Sequence, residues 1–199
     1  MPTKITLSDK ELSLVTNADW ILTKQTIIDA AYNIFAGMVP IIQSAVITGD
    51  TWLPGELKHS TPKISKGENY GKLPYVMLDY PRCFNGQDIF AFRTMFWWAN
   101  FFSITLHVSG KYLDDVKKHL MKNRSLLNND YFIGINETQW EHHFREDNFI
   151  PYSLLHENQS QDLFNRGFIK VALKYEVSRW NEMPALLKEG YEKFALLLG

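Results

Sequence analysis

Apolar side chains recur at three-, four- and seven-residue spacing through Trp20, Ile27, Ala31, Ile34, Met38, Ile41 and Ala45. That period predicts a long helix with one core-facing stripe. Thr16 or Asn17 stands where its N-cap belongs. Pro40, shortly after Gly37, is expected to kink or split the helix, because proline removes a donor and crowds the preceding turn. Ahead of it, Ser8 and Glu11 have capping-box spacing, so a shorter helix with Leu12 and Val15 on its edge comes first.

Further on, the period falls to two. Residues 75–80 read as a strand ended by Pro81, and Asn85-Gly86 is a strong turn signal. Residues 89–98 and 101–108 make two more strands, turning near Ala99-Asn100. In the last of these Phe102, Ile104, Leu106 and Val108 share one face, and Ser103, Thr105 and His107 share the other. Residues 169–177 alternate as well, with Ile169, Val171, Leu173, Tyr175 and Val177 inward and Lys170, Lys174 and Glu176 on an expected wet face. Such short connections require antiparallel neighbours.

The remaining segments are less regular. Residues 112–124 predict a helix with Leu113, Val116 and Leu120 inward, and residues 131–135 a strand. Residues 139–145 fit a helix, capped by Thr138 and Glu141, or a strand in which Trp140, His142 and Phe144 alternate. A short helix over 160–166 would be closed by Gly167, and a final one, capped near Asn181, holds Pro184 in its tolerated first turn. Residues 48–73 read as one long basic loop, rich in Gly and Pro, that hides at most a short element near 56–59. The expected architecture over residues 1–199 is a single α+β domain, an antiparallel sheet with the N- and C-terminal helices packed on one face.

Composition narrows the function classes. Hydrophobic residues make up 45% of the 199, too many for disorder, and a formal net charge of −1 supplies no global field for nucleic acid. Cys83 is the one cysteine, which rules out an intramolecular disulfide and points to a reducing, cytoplasmic setting. The N-terminus has no secretory h-region. Residues 89–108 are as long as a bilayer crossing, yet Arg93, Asn100 and His107 within them favour strands over a membrane span.

Arg93 and His107 break the apolar pattern most sharply. A guanidinium between Phe92, Phe96 and Trp97 needs an acidic or anionic partner, and Asp79 on the neighbouring strand is the natural one. One reading makes Arg82, Arg93, His107 and Asp79 the polar floor of a pocket walled by Trp97 and Trp98, able to hold a carboxylate or phosphate. The plainer reading is a structural Asp–Arg pair and a core histidine. His59, among the lysines of the long loop, joins the candidate binding residues, and His59 or His107 is the candidate general base of an alternative, a small hydrolase or transferase. A protein partner on the aromatic face, or a homodimer pairing a Trp97-Trp98 edge across a two-fold axis, is a further reading. No cofactor motif is present, and the adjacent pair His142-His143 lacks the one-face spacing of a metal helix.

Thr48-Gly49-Asp50, Lys58-His59, the run Lys72-Leu73-Pro74-Tyr75 and the aromatic run from Phe90 resemble a family of uncharacterised bacterial proteins typified by YktB. The resemblance covers most of the chain, while Trp97-Trp98 and residues 131–151 depart from it. It implies the α+β fold and carries no activity.

Overall fold

The structure, a computed structural model, describes residues 5–155 and 165–199. Seven strands form one antiparallel sheet: β1 (Lys63–Tyr70), β2 (Leu73–Asn85), β3 (Asp88–Trp97), β4 (Phe101–Ser109), β5 (Tyr131–Gly134), β6 (Phe149–Pro151) and β7 (Phe168–Glu176). Their spatial order is β1-β2-β3-β4-β7-β5-β6. The α+β class and the flanking terminal helices are as the periodicity predicts.

Ser8 and Glu11 form the expected capping box on α1 (Asp9–Val15), a helix that buries no residue. Asn17 caps α2 (Ala18–Ile42), which runs on into a π turn, Gln43–Ile47. Ile28, Ala31, Phe35, Met38, Ile42 and Val46 carry its buried stripe. Most of the expected positions sit one residue off that line, and Trp20 is 41% exposed. Pro40 does not split the helix: it lies on the solvent side with Ala36, the residue whose carbonyl it deprives of a donor. By length and composition Ala18–Ile47 is apolar enough to cross a membrane, with 33% of its most apolar window buried.

The segment expected to be one loop holds α3 (Gly55–Lys58) and the whole of β1. Lysines, a glycine and a glutamate hide β1 from a hydrophobicity reading, and that composition suits an edge strand, which must not recruit another chain. Pro81 does not end β2. The strand passes through it at a register shift between Asp79 and Arg82, where an unpaired residue is tolerated.

On one face of the sheet Val76, Leu78, Phe90, Phe92, Phe102, Ile104, Leu106, Val171 and Leu173 meet α2, α4 (Leu113–Lys122) and α5 (Met183–Leu198) in the main core. Aromatic rings meet edge to face there, Phe92 lying 5.3 Å from Phe194 and 6.0 Å from Tyr191. The other face carries Asp79, Arg93, Ser103, Thr105, His107 and Lys170. It is covered by residues 135–148, a strap that is neither helix nor strand and links β5 to β6. The short helix expected over 160–166 falls mostly on residues 156–164, outside the described ones.

Candidate functional site

The register of the sheet assembles the second face in rows. Tyr75, Trp97 and Phe101 form an aromatic row, and Met77, Met95 and Ser103 the next. Then comes an ionic row, Lys63, Asp79, Arg93 and Thr105, followed by Ala91, His107 and Lys170. His107 and Lys170 are directly opposed, and Arg93 stands on the diagonal, within reach of long side chains.

Arg93 forks onto Asp79, Nε to Oδ1 at 2.7 Å and Nη2 to Oδ2 at 3.0 Å. This is the expected pairing. Its Nη1 lies 3.0 Å from His142 Nε2. A guanidinium can only donate, so His142 Nε2 is an unprotonated acceptor. Burial, then the charges of Arg93 and Lys170, hold this imidazole well below the usual histidine range and keep it neutral. His107 Nε2 is 2.8 Å from Gln139 Oε1, which makes it the donor. Burial is again the main cause that lowers His107 to about 4.

Lys170 overturns the expectation of a wet face, being only 1% exposed. Its ammonium donates to the carbonyl of Glu141 and lies 4.8 Å from the centre of the Phe149 ring. Among the described residues no carboxylate forms an ion pair with it. Burial, with Arg93 adding to it, lowers its pKa to about 7. Gly134 on β5 makes the depth possible, since a Cβ there would come within 2.9 Å of the Lys170 Cβ.

The strap is fixed by these same groups. Tyr70 Oη accepts from the His142 and His143 amides, at 2.8 and 3.0 Å, and donates to Glu141 Oε2 at 3.1 Å. Backbone amides satisfied by a side chain need no helix or ladder, which explains why 139–145 adopts neither predicted form. Phe144 adds an apolar foot, stacked 4.6 Å from Phe149 and set edge-on to Phe101 at 4.8 Å.

Beside the strap a cleft of about 360 Å³ opens over β1–β3, lined by Lys63, Ser65, Tyr70, Tyr75, Met77, Asp79, Arg93, Met95, Trp140 and His142. A larger hollow of about 650 Å³, bordered by Ser44, Thr51, Leu196 and Gly199, gathers no buried titratable group.

Of the residues singled out by sequence, Asp79, Arg93 and His107 come together on this face. Trp97 shares it and donates Nε1–H to the Tyr70 carbonyl at 3.0 Å, but Trp98 packs on the opposite side against Phe96. Neither tryptophan borders a sheet edge, because Trp97 ends the interior strand β3 and Trp98 follows it in the turn to β4. Arg82 donates Nε–H to the Thr61 carbonyl at 3.1 Å, and His59 is exposed at the end of α3. Both stand outside the cluster. Lys170, Tyr70, Gln139, Glu141 and His142 were not singled out as binding residues. The unbroken alternation of 169–177 hid Lys170, and only the fold carries Tyr70 to the strap, 72 residues away from His142. Comparisons with family models, curated proteins and solved structures give no match.

Proposed function

We propose that this chain binds a small anionic molecule in the cleft between the strap and β1–β3. The observation that supports this most directly is Arg93 at the floor of the cleft. Three of its five N–H groups are taken by Asp79 and His142, leaving two for a ligand. Lys63, opposite Asp79 in the register, adds an exposed ammonium with no ion-pair partner among the described residues. Tyr75, Trp140, Met77 and Met95 give such an anion flat and adaptable walls for an apolar body. The single free cysteine is in keeping with a cytoplasmic location.

The second reading, a hydrolase or transferase with a histidine base, has less support. Among the described residues no histidine ring hydrogen-bonds a serine, threonine or cysteine side chain, and His142 Nε2 is already held by Arg93.

Calorimetric titration with benzoate and phenyl phosphate, against chloride at matched ionic strength, tests the proposal. Lys63→Ala and Trp140→Ala alter exposed residues, so each is expected to weaken binding about tenfold without lowering the unfolding midpoint. Equal binding by both variants and the parent would place the ligand elsewhere, and no binding by any of them would end the idea.

A further inference from the structure

Three donors of the second face, Lys170, His107 and Arg93, point their hydrogen bonds at one short stretch of strap. Lys170 meets the Glu141 carbonyl, Arg93 meets His142 Nε2, and His107 meets Gln139 Oε1. The register brings the three donors together from three strands, β7, β4 and β3. Asp79 balances the charge of Arg93, but among the described residues no carboxylate pairs with Lys170, and the strap acceptors that the three donors meet are all neutral. Charge-assisted bonds to an anionic oxygen are roughly twice as strong as those between neutral groups. At the strap all three donors are therefore satisfied, while the Lys170 ammonium is not matched in charge.

We propose that Lys170, His107 and Arg93 form an inner oxyanion subsite, which the strap's acceptors at Gln139, Glu141 and His142 fill as an internal stand-in for a phosphate or carboxylate group. This rests on the anion-binding reading of the adjoining cleft and extends it inward. The cleft is the entry, lined by His142 and Arg93, and the anionic group passes inward as residues 139–143 lift. Nothing regular resists that lift, because the stretch makes no helix and no ladder. Its footing at Phe144 and the bonds from Arg166 to the Ile135 and Asn136 carbonyls, at 2.8 and 2.6 Å, lie outside the displaced residues and can stay in place. An oxyanion with three acceptor oxygens, as in phosphate, supplies one to each donor.

Inorganic phosphate is the probe, with phenyl phosphate as the arm that separates free phosphate from a phosphate ester. The readout is amide hydrogen exchange at His142 and His143, whose N–H groups now bond to Tyr70. Saturating phosphate is expected to speed exchange at these two amides at least tenfold and leave the helix-face amides unchanged. Lys170→Met, which keeps the buried stem and removes the donor, is expected to weaken phosphate binding at least about tenfold. A second variant, with 139–142 replaced by Gly-Ser-Gly-Ser, removes the Gln139 and His142 side-chain acceptors and loosens the main chain that presents the 141 carbonyl, and is expected to bind phosphate more tightly than the parent.

Phosphate binding with unchanged exchange at His142 and His143 would overturn the inner subsite while leaving the cleft reading intact. Binding by the Gly-Ser variant alone would support the subsite and make the strap a complete block. If neither protein binds, both ideas fall.

Discussion

The two faces of one sheet are held by different physics. On the helix side, Phe92, Phe102, Leu106 and their neighbours are apolar, and the buried polar contact there, Thr94 with Tyr191, is satisfied within the protein. That side gains from area removed from water, which no small ligand can replace. The strap side buries apolar area at one end, where Met77, Met95, Trp97 and Phe101 pack with Phe144, and over the rest depends on matched donors and acceptors. Each of those bonds contributes a modest net amount yet is costly to leave unmade. The first face is suited to permanence and the second to exchange.

The largest effect should come from the apolar side. Phe92→Ala removes a ring in contact with Tyr191 and Phe194 and is expected to cost about 4 kcal/mol in urea unfolding. A much smaller loss would mean the helix layer collapses into the gap, and the contrast between the faces would weaken. Next comes Arg93→Met, which strands the buried Asp79 carboxylate and is expected to cost roughly 3–4 kcal/mol. Pairing it with Asp79→Leu should recover most of that loss. If the double variant is no better than the single, the ion pair itself stabilises the fold, and the polar face contributes more than charge matching.

The smallest effect is a pH dependence confined to the strap side. Lys170 has a folded pKa of about 7 against an ordinary 10.5, so between those values the unfolded chain holds more protons and stability rises with pH. Arg93, His107, Glu141 and His142 face or border the amine, and burial holds both imidazoles below this window. The gain from pH 7 to 10 is expected to be on the order of 2–3 kcal/mol in the parent and absent in Lys170→Met. Parallel curves for the two proteins would mean that Lys170 is solvated and that the strap does not seal this face.

Much of the helix side could be read from the chain alone, because burial on one side of an amphipathic element leaves a periodic trace. Phe102–Val108 alternates cleanly, Ser8 and Glu11 cap where their spacing says, and Asp79 pairs with Arg93 because adjacent strands joined by Asn85-Gly86 have few registers open to them. The strap side left no such trace. Its cover is aperiodic, since the partners of its backbone are side chains distant in sequence, Tyr70 above all. Lys170 alternates with apolar neighbours as a surface lysine would, and nothing local distinguishes a face covered by a loop from one covered by water. The edge strand β1 was masked by the charges that keep edges from aggregating.

Gly134 has an evolutionary consequence. Most glycine codons lie one nucleotide from alanine or serine, and either residue would set a carbon against the Lys170 stem and press β5 away from it. A buried amine would then lose its cover in a single step, at the cost of some packing of Tyr131 and Ile133 on the helix layer. Descendants of this chain could thus lose the chemistry of one face while inheriting the architecture of the other, and divergence in such a lineage should begin at the strap and its glycine long before it reaches the core.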